Sequence, residues 1–214
     1  MAPANTSDSV PQGSPERVAA PVRAVLALSA GILSLERVLI MGFMGLLVVL
    51  ILLNVVTRYA GASLYWVDES AVYSVVWLSF IGGSAMTRLR LDFAMTMLTD
   101  KLSPDWARRA KVTAGLGVVA FALALALMCW LWLDPAGLAQ AGFDAKRFAA
   151  ATFNFVYTER TQTLNWPSWA LYLIVPIFSS TLFVHGLANV LEDLGWAPAA
   201  RARGFDLGGN EGIN

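Results

Sequence analysis

Four uncharged apolar runs occupy residues 38–57, 70–87, 112–133 and 168–191, and charged residues close them off. About 30 Å of hydrocarbon at 1.5 Å per residue calls for roughly 20 residues, so each run is long enough to cross a bilayer. Inside lipid every backbone amide must be paired within its own segment, which makes each run a helix. A membrane barrel would alternate apolar and polar positions, whereas apolar residues here stand consecutively. Composition agrees, with 57% hydrophobic and 14% charged residues, against roughly 45–50% and 25% in soluble domains. The expected fold is an all-α integral membrane protein with four transmembrane helices.

A shorter apolar stretch at 24–35 lies between Arg23 and Glu36. It is too short to span and is expected to lie at the interface or to extend the first helix into the headgroups. Basic residues ahead of it resemble a signal peptide, but cleavage near Ala30 would invert the charge bias described next. Residues 1–22, rich in Pro, Ser and Ala, read as a mobile cytoplasmic tail, 23–194 as a single membrane domain and 195–214 as a second flexible tail. Eleven Lys and Arg fall in the N-terminal, second-connection and C-terminal segments, against four in the other two connections. The positive-inside rule then places both termini in the cytoplasm. Trp66, Trp130, Trp132, Trp166 and Trp169 gather at the outer helix ends, Trp106 and Trp196 at the inner ends, as interfacial belts.

The connections carry their own patterns. Leu91, Met95, Leu98 and Leu102 recur at helical spacing opposite Asp92, Thr96, Thr99 and Ser103, predicting an amphipathic interfacial helix over 91–102. Docking on the membrane and packing against another protein both fit that pattern. Ser103-Pro104-Asp105 supplies an N-cap, an N1 proline and a first-turn acid for the third helix. The first outer connection is short, so Arg58 at the end of helix one faces Asp68 and Glu69 at the start of helix two, with opposite charges suited to pairing. Ser79 with Gly82 and Gly83, and Thr113 with Gly117, are small residues that let helices approach closely. Pro176 frees the carbonyl of Tyr172 and predicts a kink, with Ser179, Ser180 and Thr181 as candidates to satisfy the disturbed backbone. The outer loop 134–167 is long and mixes aromatic with charged residues. A protein contact and a short helix resting on the membrane surface are equally compatible with it.

Several functions are excluded by what is missing. Fifteen basic residues balance fifteen acidic ones, so nothing attracts nucleic acid. There is no phosphate loop, no H-E-x-x-H and no G-x-S-x-G motif. His185 and Cys129 each stand alone, which argues against a bis-histidine haem and an internal disulfide. The runs themselves hold almost no ionisable groups, and no catalytic, metal or cofactor site is expected. Such a chain reads as a subunit that supports chemistry carried elsewhere.

Asn54-Val-Val-Thr-Arg58-Tyr59 at the end of helix one, Trp66-Val-Asp68-Glu69 entering helix two, and Gly82-Gly83-Ser84-Ala85 followed by Arg88 come in a recognisable order. Leu164-Asn-Trp-Pro167-Ser-Trp169 and Pro176 continue it in helix four. In this order and spacing the chain resembles the small membrane subunit of tripartite ATP-independent periplasmic (TRAP) transporters. Where that family has a His followed four residues later by an acid, this chain has Asp92 and Thr96. The resemblance implies an inner-membrane scaffold subunit beside a large multi-helix membrane subunit and a periplasmic substrate-binding protein. It further implies import of a small organic anion, commonly a carboxylate, with sodium bound in the large subunit rather than here. Asn54, Arg58, Trp66, Asp68, Glu69, Gly82, Gly83, Arg88, Asp92 and Pro176 are the candidate structural or partner-interface residues. A self-associating small transporter and a membrane anchor for a redox enzyme are the rival readings.

Overall fold

A computed structural model describes residues 19–91 and 103–198, and it is nearly all helical. The long helices are α1 (Ala20–Tyr59), α2 (Tyr65–Leu89), α3 (Pro104–Leu133) and α7 (Ile174–Asp193). Between α3 and α7 come the short helices α4 (Pro135–Gln140), α5 (Ala145–Thr152) and α6 (Ser168–Tyr172). Four helical stretches are long and apolar enough to cross a membrane. Leu91 itself lies outside any helix, and the remainder of the expected interfacial helix, including Asp92, falls outside the described residues.

The first helix departs most from its apolar run. α1 has 40 residues, about 60 Å at 1.5 Å per residue, twice the hydrocarbon thickness. The stretch 24–35 is therefore continuous with the first span; the helix runs unbroken through Ala30 and through the charges of Glu36 and Arg37. Pro21 near its start suits the first turn, where a missing N–H costs nothing. Its other end closes on Gly61 at φ 73°, a left-handed conformation that an L side chain resists. The chain then reverses directly into α2, giving an antiparallel hairpin.

α7 is the central post, contacting α1, α2 and α3, while α3 leans chiefly on α7. Ten residues of α7 are buried, against Ala122 and Cys129 in α3. The bundle has two ends. The α1–α2 turn and the α3–α6 connection form one, here called the connection end. The α2 C-terminus, the α3 N-terminus and the α7 C-terminus form the other, the terminal end. At the terminal end Val22 of α1 packs with Leu191 and Ala197, so the long first helix reaches the far end of α7.

Within this chain the close helix contacts are made by Gly115 and Gly186. A Cβ on Gly115 would stand 2.7 Å from Val190 Cγ2, and one on Gly186 would stand 3.2 Å from Val118 and Val119. These two glycines let α3 and α7 approach. Gly82 and Gly117 face open space, and Gly83 meets only Phe178 at an ordinary 3.7 Å. The fourth span is interrupted as Pro176 predicts, with Leu173 separating α6 from α7. The hydroxyls behave otherwise: Ser179 and Ser180 donate to the Pro176 carbonyl at 2.9 and 2.8 Å and Thr181 to that of Phe178, so none reaches Tyr172. Ser103 stands at the N-cap of α3, but its side chain makes no capping bond.

The connection 134–167 is structured throughout. Asp134 ends α3 and caps α4, accepting from the Gly137 N–H at 2.9 Å. A Cβ on Gly137 would collide with that carboxylate at 2.2 Å, which is why glycine stands there. Asp144 caps α5 in the same manner.

Candidate functional site

Polar side chains of the bundle gather into clasps that tie helices together. At the connection end, Arg58 donates through Nη2 to Asp68 at 3.0 Å and through Nε to the Asn54 side-chain oxygen Oδ1 at 3.0 Å. Asn54 completes the ring by donating to Asp68. The expected hairpin pair thus forms with Asp68, and its side chains are 62% and 48% exposed, so its net stabilisation is small. Glu69 turns elsewhere. It accepts backbone N–H bonds from Gln162, Thr163 and Leu164 at 2.8–2.9 Å, and a bond from the Thr163 hydroxyl. One carboxylate thereby pins the strand of chain entering α6 onto the head of α2.

The terminal end holds a denser cluster. Arg88 forks onto Glu192 at 2.6 and 3.2 Å and donates to Asn189 at 2.6 Å. Arg90 reaches Asp193 at 2.6 Å and the Asn189 carbonyl at 3.0 Å, while Asn189 donates to the Thr87 carbonyl at 2.8 Å. Side chains of the Arg88–Glu192 pair are only 6% and 2% exposed. Two planar groups matched bidentately in low dielectric make a strong, directional contact. Arg90 ends α2 in the left-handed region at φ 54°, where glycine is usual; its three bonds to α7, to Asp193, the Asn189 carbonyl and Glu192, hold it there. From α3, Arg108 donates to the carbonyls of Asp193 and Leu194 at 2.9 and 2.7 Å, capping the negative end of α7.

A third clasp lies deeper. His185 is fully buried, with Nδ1 2.8 Å from Ser29 Oγ and Nε2 3.1 Å from Glu36 Oε2. The set is satisfied when Nε2–H donates to the carboxylate and the serine hydroxyl donates to Nδ1. This joins the N-terminal half of α1 to α7, and it buries Glu36 to 4% exposure. The runs themselves hold almost no ionisable groups, but the charges that close them are not left to water: the bundle buries Glu36, Arg88 and Glu192, with His185, together with their partners. Isolated charge is expensive in lipid, and pairing across helices is what makes it tolerable.

A family model described as Tripartite ATP-independent periplasmic transporters, DctQ component, matches residues 47–195, well over half of the chain. The chain belongs to this family. No curated protein and no solved structure matches it. DctQ components are multi-pass inner-membrane parts of a tripartite transporter, and they are not enzymes. In this DctQ component the match begins at Leu47, so Ser29 and Glu36 precede it, whereas His185, Arg88 and Glu192 lie within it.

The structure brings Asn54, Arg58 and Asp68 together, and sets Glu69 and Arg88 in separate clasps. Trp66 lines an apolar cleft of about 580 Å³ with Phe43, Leu50, Tyr73, Trp77 and Leu171. Residues missed by sequence reasoning are Ser29, Glu36, Asn189, Glu192, Asp193, Gly115 and Gly186. Glu36 and Glu192 were legible only as the charges that close a run, and a boundary charge looks the same whether it meets water or a buried partner. Gly115 sits two positions before Gly117, and its contact with Val190 depends on the rotation of α3, which local spacing does not encode.

Proposed function

We propose that this DctQ component is the small scaffold subunit of a secondary transporter that imports a small organic anion, a carboxylate, together with sodium. Its partners in this reading are a large multi-helix membrane subunit, which holds the solute and sodium sites, and a periplasmic binding protein that delivers the solute. The terminal end and both chain termini face the cytoplasm, and the chain carries no cofactor of its own. One observation carries the reading: the acids buried in the described bundle, Glu36 and Glu192, are each bonded to side chains of this same chain. An acid that moves an ion must exchange partners during transport, and a carboxylate clasped to a neighbouring helix serves a brace better than a pathway.

Reconstitution tests this directly. Vesicles holding the large subunit and this chain, supplied with the binding protein, are expected to take up solute under a sodium gradient. Omitting either membrane subunit should abolish uptake. Gradient-driven uptake by this chain alone would overturn the scaffold reading, as would full activity of the large subunit without it.

A further inference from the structure

Beyond the clasps, the connection end presents an exposed aromatic elbow. α5 is bracketed by Phe143 and Phe153, both in the left-handed region at φ 61° and 57°. That conformation is disfavoured for a bulky L residue, yet both rings are left 75% and 81% exposed rather than packed inside. Between them Lys146 and Arg147 are exposed, and neither makes an ion pair among the described residues. Asp144 is spent on their backbone N–H groups at 2.9 and 3.2 Å, so the acid nearest these cations caps the helix. Asp134 is likewise spent on Gly137, which leaves Glu159 as the acid of this segment whose carboxylate makes no bond among the described residues.

The depth of the elbow is set by its attachments. Asn154 Nδ2 donates to the Trp132 carbonyl and the Tyr157 hydroxyl to that of Leu133, each at 2.7 Å. These carbonyls belong to the last turn of a membrane-crossing helix. Phe148, on the buried face of α5, meets Tyr157 edge-to-face with ring centroids 5.6 Å apart, and Tyr157 lies 6.3 Å from Trp169. The elbow is thus held level with Trp130 and Trp132, which are 60% and 44% exposed and mark the interfacial belt. We propose that the α4–α5 elbow is a lipid anchor, with Phe143 and Phe153 entering the phospholipid interface and Lys146 and Arg147 meeting lipid phosphates between them. Rings at the headgroup boundary and cations on phosphate are the two contacts by which a surface helix holds a bilayer. The elbow would fix the tilt of α3 against the membrane independently of which solute is carried.

The test uses the full chain with Cys129→Ala, and Phe143→Cys or Phe153→Cys carrying a nitroxide, in vesicles of phosphatidylethanolamine and phosphatidylglycerol. Collision with oxygen is compared with collision with a water-soluble nickel chelate. Both labels are expected to favour oxygen severalfold relative to the free label in buffer. Adding Lys146→Glu with Arg147→Glu should reduce that preference on phosphatidylglycerol and much less on phosphatidylcholine. Helical circular dichroism matching the parent certifies each variant; where a phenylalanine variant fails, Ala150→Cys, one turn from Lys146, takes the label. Nickel collision equal to that of the free label would overturn the proposal. So would labels that stay wet in vesicles and become shielded only when the binding protein is added, which would make the elbow a protein contact.

Discussion

Replacing Glu192 by Gln tests the clasp that the bundle depends on most. The change keeps shape but removes one charge of a pair whose side chains are 6% and 2% exposed. Arg88 would keep Asn189 as an acceptor at 2.6 Å, but one arm of its fork would face an amide N–H₂ instead of an oxygen. Leaving a buried charge without its counter-ion costs about 3–5 kcal/mol. At about 1.4 kcal/mol per decade, 4 kcal/mol lowers the folded-to-unfolded ratio by roughly a thousandfold. Arg88→Met alone should cost a similar amount, because it strands the carboxylate beside the more exposed Arg90 at 3.4 Å. Arg88→Met combined with Glu192→Gln removes both charges and should cost about 2 kcal/mol less than the two single losses added together. Unfolding in mixed micelles, followed by circular dichroism across a denaturing-detergent titration, measures all three. Single variants costing under about 1 kcal/mol, or strict additivity in the double variant, would refute the clasp as a desolvated pair.

Gly115→Ala should destabilise the same transition by about 1–3 kcal/mol, since its Cβ meets Val190 at 2.7 Å, whereas Gly117→Ala, facing open space, should be neutral or gain up to about 1 kcal/mol. Glu69→Gln removes the charge that gathers the N–H groups of Gln162, Thr163 and Leu164; amide exchange at those three positions should accelerate severalfold, with the core of α7 unchanged. Tyr157 lies outside the spans, and burial with the nearby Asp134 charge pushes its phenol above the ordinary value of 10.0. A raised phenol contributes stability that is complete below pH of about 10 and is lost as pH climbs through the folded value. Ultraviolet titration should therefore show late-ionising tyrosine absorbance that is reduced in Tyr157→Phe.

Particular residues mark how far sequence reading carried. Arg37 and Arg58 flank the first run correctly as charges, but lipid thickness sets a minimum length for a helix and no maximum. The structure extends α1 back to Ala20 because its N-terminal half finds α7 to pack on. Arg58 with Asp68 was legible because a short turn forces helix ends together, so chain proximity substitutes for tertiary knowledge. Glu69 sat next to the same turn and pointed instead to a segment more than 90 residues away. Pro176 told of the break at Leu173, since a missing N–H is a local fact, but the hydroxyls that follow satisfied other carbonyls.

The amino-acid sequence by itself determined the solvent of this protein, the number of its crossings and the family whose order of motifs it carries. Runs of apolar residues must bury their backbone polarity locally, and that requirement can be met helix by helix. Only the tertiary structure decided that α7 stands at the centre, that Gly115 and Gly186 are the close contacts, and that Glu36, His185, Arg88 and Glu192 can live inside the bundle. Charge burial is permitted or forbidden by the partner across the helix interface. That partner lies 104 residues away for Arg88 and 149 for His185, a distance over which local pattern carries no information.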